Sequence, residues 1–232
     1  MTDTLLELQE LLGIKFKNPE LLEQALIHRS YLNENRALKL VSNERLEFLG
    51  DAVLELWTTE KLYKMFPDLP EGDLTSLRSL IVCTENLANL ANKISLGKFV
   101  KLSRGEESHQ GRQNQSILAD TTESIIGSVF LDQGTKAVDQ LLNSFLGENI
   151  TTISKQKIYK DPKSRFQEIA QARSGITPRY ETVKETGPDH QKIFEVAAYI
   201  GTDLIASGTG NSKQKAEESA AIAATEKLTA EK

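Results

Sequence analysis

A single cysteine, Cys83, stands among the 232 residues. One cysteine excludes a disulfide framework within the chain and a cysteine zinc site. Long hydrophobic runs are missing too. None approaches the roughly 20 apolar residues that cross a bilayer, so no membrane partner is expected. The opening stretch, MTDTLLELQELLG, carries acids and no basic segment, so no secretory signal is expected there. Without disulfides or an export signal, the expected compartment is the cytoplasm. The chain has no glycine-rich phosphate loop, no nucleophile elbow, no internal repeat and no low-complexity tract. His28 and His109 lack cysteine or histidine partners at ligand spacing. The first reads as packed or hydrogen-bonded, the second as an exposed loop residue. Cys83 itself lies in an apolar helical stretch and reads as a small core residue.

What is present is a foldable chain. Hydrophobic residues make up 39% and charged residues 26%, enough for a buried core in one large or two small domains. The formal net charge is −5, which on its face argues against a nucleic-acid partner. The charge is uneven, however. Residues 1–154 hold 15 basic and 22 acidic residues, a balance of −7, and residues 155–232 hold 13 and 11, a balance of +2. A local basic face can bind phosphates on a protein that is acidic overall.

Apolar residues recur at helical spacing in Leu21–Leu26, Leu46–Leu56, Leu74–Leu90 and Ile117–Leu131. Short breaks separate them at Lys17–Pro19, Phe66–Pro70 and Ser103–Gln115. Residues 1–150 are therefore expected to form an all-α domain. The polar, lysine-bearing stretch Gly147–Asp161 reads as a linker, with 151–160 as its centre. Beyond it the pattern changes. A helix is expected from Asp161 to about Arg173, a strand over Pro178–Val183, a turn at Gly187-Pro188, a half-buried strand over Ile193–Ile200 and a short strand over Leu204–Ala206. A final helix, capped by Ser212, is expected to run to Leu228. The order is α-β-β-β-α, a small α+β domain over 161–230.

Two of the helical segments carry unusual acids. In Asn43–Leu54, Glu44, Glu47 and Asp51 fall at i, i+3 and i+7 and share one face. Like charges so spaced destabilise a bare helix, and their neighbours are apolar. Gly50, mid-helix, costs about 1 kcal/mol relative to alanine and suggests close approach of another backbone. In Ile117–Gly127, Asp120 and Glu123 are again i, i+3, flanked by apolar residues and a glycine. Either acid pair alone reads as solvated helix surface. Two such segments, each with a glycine, favour a site where Glu47, Asp51, Asp120 and Glu123 converge. Such a cluster needs a cation, and oxygen-only ligands select Mg²⁺ or Mn²⁺. A carboxylate cage suits phosphoryl chemistry, activating a water and stabilising a leaving oxygen.

These stretches carry a resemblance. NERLEFLGDAVL at 43–54 and ILADTTESIIG at 117–127 resemble the two acidic motifs of the ribonuclease III family. HRSY at 28–31, GDLTSLRSLIV at 72–82 and RGEE at 104–107 extend the similarity. The resemblance implies that Glu47, Asp120 and Glu123 bind the divalent metal, that Asp51 and Glu123 are catalytic, and that Glu44 plays a supporting role. It also implies a homodimer that cuts both strands of duplex RNA with a stagger, leaving 5′-phosphate and 3′-hydroxyl ends and short 3′ overhangs. Precursors of ribosomal RNA and structured messages are the implied substrates. Arg112 followed by Asn114 departs from the two basic residues common before the second motif, and Ser103 stands where glycine is common.

In the C-terminal stretch, Ser164, Gln167 and Glu168 fall on the exposed side of the first helix, and His190 sits in the hairpin turn. Ser212, Lys213 and Lys215 open the last helix, whose free N–H groups and dipole suit a phosphate. DPKSRFQE, GPDHQKIFEV and GTGNSKQKAEESAA resemble a double-stranded RNA-binding domain, which reads A-form shape with little sequence reading. Those seven residues are the expected RNA contacts. Gln214 replaces a lysine common in the family, so weaker but still salt-sensitive binding is expected. The alternative reading is a non-catalytic duplex-RNA-binding protein that uses its helical domain to dimerise. Retention of all four acids argues against it.

Overall fold

A computed structural model of the chain describes residues 3–156, 162–188 and 191–230. Its contacts cluster into two units, 1–159 and 160–232, taken here one at a time.

The regular elements of the first unit are all helices among its described residues, with one isolated bridge between Ile27 and Lys101. The helices are α1 (Asp3–Leu12), α2 (Pro19–Ala25), α3 (Arg29–Glu34), α4 (Glu44–Met65), α5 (Glu71–Val82), α6 (Thr84–Lys93), α7 (Arg104–Ser108), α8 (Gln115–Gln133) and α9 (Thr135–Gln156). The central element is α8. Ile117, Leu118, Ala119, Thr121, Ser124, Ile125, Ile126, Gly127, Ser128 and Val129 are all buried, so α8 is covered on nearly every side. Its buried hydroxyls bond within the helix: Thr121 donates to the Ile117 carbonyl at 2.7 Å and Ser128 to that of Ile125 at 2.7 Å, as burial of polar groups requires. Around it, α2, α4, α6 and α9 supply Leu22, Leu54, Leu87, Ala88, Leu142 and Leu146 to the core.

The apolar run Leu74–Leu90 is not one helix. It divides at Cys83, whose backbone is extended at φ −66°, ψ 151°. The Asn86 amide donates to the Ile81 carbonyl at 2.6 Å, and the Cys83 thiol to that of Leu80 at 3.3 Å. Side-chain donors thus satisfy the end of α5 and make the break tolerable. Cys83 is half-buried at this corner, not the core residue its apolar surroundings suggested. The Ser103–Gln115 break is likewise partly ordered into α7 and a 3-10 turn at Gly111–Gln113. Helix α9 continues to Gln156, so residues 151–156 of the expected linker are helical; 157–161 lie outside the described residues.

The second unit has the order α10 (Pro162–Ser174), β1 (Arg179–Thr186), β2 (Ile193–Ile200), β3 (Asp203–Gly210) and α11 (Lys213–Ala230). The strands form an antiparallel sheet in the order β1-β2-β3, with register shifts at Thr182/Lys184 and Ala198/Tyr199. Both helices cover one face, burying Phe166, Ala198, Ala220, Ala221, Ala224 and Leu228. The third strand is longer than the expected Leu204–Ala206. Its second half, Ser207-Gly208-Thr209-Gly210, has the composition of a turn. Gly208 explains the difference: a Cβ there would lie 2.1 Å from the Ala220 nitrogen, so glycine lets α11 press directly on the strand.

Candidate metal centre

Helices α4 and α8 cross at two glycines. A Cβ on Gly50 would lie 1.7 Å from the Glu123 carbonyl oxygen, and one on Gly127 would lie 2.2 Å from that of Leu46. No side chain fits at either place, so the two backbones touch. The start of α4 is fixed as well. Buried Asn43 donates its backbone N–H to the Ile27 carbonyl at 2.9 Å, and its own carbonyl accepts from the Ser124 hydroxyl at 3.3 Å.

This crossing brings the acids of both helices together. Glu47 from α4 and Asp120 and Glu123 from α8, all half-buried, offer carboxylate oxygens that lie within 4.8 Å of one another. Asp51 is exposed and is not one of the converging three, but its charge acts on Glu123 more strongly than that of Asp120 or Glu47. None of the four carboxylates forms an ion pair or a side-chain hydrogen bond among the described residues. Glu44 stands apart: it accepts from the Ser42 hydroxyl at 2.7 Å and lies 3.8 Å from Arg29.

Electrostatics report the crowding. Burial, then the charges of Asp51, Asp120 and Glu47, push the Glu123 carboxyl up to about 8. Glu47 is raised by burial and by Asp120, Glu44 and Asp51, with Arg29 opposing. Burial also raises Asp120, against the pull of His28 and Arg29. Three converging carboxylates held above their usual range are a donor set short of positive charge. Their hard oxygens fit Mg²⁺ or Mn²⁺.

One neighbour was not singled out from the sequence. Arg29 reaches the charge field of Glu44, Glu47 and Asp120. His28 caps α3: its Nδ1 accepts from the Ser30 N–H at 3.3 Å and lies 2.8 Å from the Ser30 hydroxyl. Burial lowers its pKa, against the opposing charges of Glu106, Asp120 and Glu44. His109 is exposed, its Nδ1 2.8 Å from the Gly105 carbonyl. The HRSY stretch was the available signal, but nothing in its spacing ties it to the acids. The departures noted above have structural uses. The Arg112 guanidinium donates to the carbonyls of Gly97, Lys98 and Val100 and to Glu107, at 2.7, 3.3, 3.1 and 2.6 Å. Asn114 caps α8 by accepting from Ser116 N–H at 2.9 Å, and Ser103 caps α7 by accepting from Glu106 N–H at 3.1 Å.

In the second unit, Ser164, Gln167 and Glu168 are exposed on α10. Ser212 caps α11, accepting from Lys215 N–H at 3.2 Å. Lys213 lies 3.1 Å from Glu185 and 5.7 Å from the centre of the Phe194 ring. Lys215 is exposed, and the Gln214 amide is turned to Glu218 at 2.9 Å. His190 lies outside the described residues.

A helical domain that converges carboxylates, in one chain with an α-β-β-β-α domain, defines a class: the metal-dependent nucleases that carry their own RNA-binding domain. Comparison with known proteins narrows it. Residues 18–160 match the family described as ribonuclease-III-like, and residues 162–228 match the double-stranded RNA binding motif. Ribonuclease 3 of Natranaerobius thermophilus is 45% identical over 97% of this chain and 96% of its own length. That of Carboxydothermus hydrogenoformans is 44% identical over 99% and 98%. The nuclease domain of Campylobacter jejuni ribonuclease III, in a structure concerned with flexibility in its region involved in dimer formation, superposes with a TM-score of 0.57. It is 38% identical and covers 62% of this chain and 96% of its own. The chain belongs to the ribonuclease III family and is a double-strand-specific endoribonuclease. The family is generally Mg²⁺-dependent, and its RNA-binding domain implies binding of duplex RNA. No helix among the described residues is long and apolar enough to cross a membrane.

Proposed function

We propose that Glu47, Asp120 and Glu123 hold Mg²⁺, with Mn²⁺ able to substitute, and that Asp51 and Glu123 act on the scissile phosphodiester. The convergence of three carboxylates within 4.8 Å carries this reading. Bound there, the cation would supply Lewis-acid activation of a water and positive charge for the departing 3′ oxygen. The residues do the rest. Glu123, the most strongly raised acid, would hold the cation as a carboxylate, and its proton would leave on binding. Asp51, exposed beside it, is free to orient a water and accept its proton. Glu44 holds Arg29 at the edge of the cluster. The products are 5′-phosphate and 3′-hydroxyl ends with short 3′ overhangs, from ribosomal RNA precursors and structured messages in the cytoplasm.

Residues 1–150 form the endonuclease domain and 161–230 the RNA-binding domain in this reading. Ser164, Gln167, Glu168, His190, Ser212, Lys213 and Lys215 contact the duplex. A duplex has two strands and each chain one cluster, which calls for a twofold homodimer. The exposed face of α4 supports it. Phe48 is 82% and Leu56 70% exposed, and Leu56 lines a groove with Leu49, Val53, Trp57 and Phe130. An exposed aromatic residue and an apolar groove on the same helix suit a self-complementary contact.

The test is incubation of long duplex RNA with the protein in Mg²⁺ or in chelator. Metal-dependent cleavage is expected. Binding without cleavage under any divalent ion would leave only the non-catalytic alternative.

A further inference from the structure

The carboxylate centre opens on one side into a polar depression of about 430 Å³. Asp120 belongs to both. The rest of the wall includes Arg29 and Asn33 from α3, Glu106 from α7, Asn114, and Ser116 at the start of α8. Three of these side chains are open to a ligand, although the charge of Glu106 also acts on His28, which lines the same depression. The Asn33 amide, the Ser116 hydroxyl and the Glu106 carboxylate have no hydrogen-bond or ion-pair partner among the described residues. Because Asp120 belongs to both, a strand whose phosphodiester lies at the carboxylates and continues toward this side would bring an adjoining nucleotide to this wall.

Charge decides which part of that nucleotide fits. Two carboxylates, Glu106 and Asp120, line the depression, and its one arginine already faces Glu44 at 3.8 Å. A phosphate would meet repulsion there. A ribose hydroxyl, neutral and able both to donate and to accept, matches the amide, the hydroxyl and the carboxylate. Resting on the nuclease reading above, we infer that this depression receives the ribose adjoining the cut and reads its 2′-hydroxyl, with Asn33 and Ser116 as donors and Glu106 as acceptor. The contact makes cleavage, and not only binding, selective for RNA, because the 2′-hydroxyl is what separates RNA from DNA at one site. The three are specificity residues; none touches the reacting atoms.

The test is single-turnover cleavage, in Mg²⁺, of duplexes carrying one 2′-deoxy or one 2′-fluoro nucleotide on either side of the cut. Fluorine keeps the A-form sugar but cannot donate a proton. At one of the two positions both replacements are expected to slow the wild type about tenfold, roughly the effect of one hydrogen bond. Asn33→Ala/Ser116→Ala, and separately Glu106→Gln, should cut the all-ribose duplex more slowly and lose most of the ribose-to-deoxy ratio. Their affinity for duplex RNA in chelator should fall by less than their cleavage rate. A wild type indifferent to both positions, or variants that keep the full ratio, would overturn this inference alone. A wild type that cuts no unmodified duplex would overturn the nuclease reading and this inference with it.

Discussion

Glu123 is the carboxyl of the cluster whose pKa is pushed furthest, to about 8 in the folded, metal-free protein, against about 4.3 for an ordinary glutamate. A raised folded value means that the group's favourable contribution is complete below the unfolded pKa and is lost as pH rises toward 8. Metal-free protein should therefore lose stability between about pH 5 and 8 through this group, and a bound cation should restore it. Near pH 7 cation binding should release close to one proton, and apparent affinity should rise with pH until it levels off above 8. Calorimetry in buffers of different ionisation enthalpy measures that release. Glu123→Gln should keep duplex affinity, abolish cleavage, raise the melting temperature of the metal-free protein at pH 8 and remove the proton release. A variant that turned over normally would show that Glu123 is not part of the centre. Much of this was legible in the sequence: acids at i, i+3 and i+7 on an apolar helix stand out because water should not leave them so crowded. The unequal placement of Asp51, exposed while the others are half-buried, was not legible, since spacing fixes a face but not its depth.

At the scale of elements, two glycines decide whether α4 and α8 can meet. Gly127→Ala would gain about 1 kcal/mol of helix propensity but would drive a methyl into the Leu46 carbonyl, 2.2 Å away. The clash should dominate, destabilising by about 1–3 kcal/mol or more. Thermal melting should register that loss, and cleavage should fall because the carboxylates separate. Unchanged stability and activity would mean that the crossing tolerates more space than its backbone contact implies. The glycines had been visible as a hint of close approach, and the helices they join were readable from apolar periodicity. The corner at Cys83 was not, because it carries neither proline nor glycine and is held by Asn86 and the thiol itself. The second half of β3 was missed too. The expected strand stopped at Ala206, before the glycines that the contact with α11 requires.

For the molecule as a whole, two surfaces set behaviour. Phe48→Glu should give a monomer by analytical ultracentrifugation with little loss of domain stability, because Phe48 is 82% exposed. Cleavage of both strands at one site should fall with it, and a variant that stayed dimeric would exclude the α4 face. Lys213→Ala and Lys215→Ala should each weaken binding to any duplex sequence and lower the salt slope by about one. Lys213, held near Glu185, should show the smaller loss. The division of labour between the two folds could be read from the change in hydrophobic pattern after residue 160. The surface proposed for dimerisation could not, because an exposed phenylalanine and a buried one look alike in a helical repeat.

Mn²⁺ binding followed by electron paramagnetic resonance near pH 7.5, in the wild type and in a folded Asp120→Asn/Glu123→Gln variant, tests the convergence of carboxylates most directly. The wild type is expected to take up the ion at this centre and the variant to lose most of that affinity. Equal uptake by both proteins would contradict a cation site built from α4 and α8.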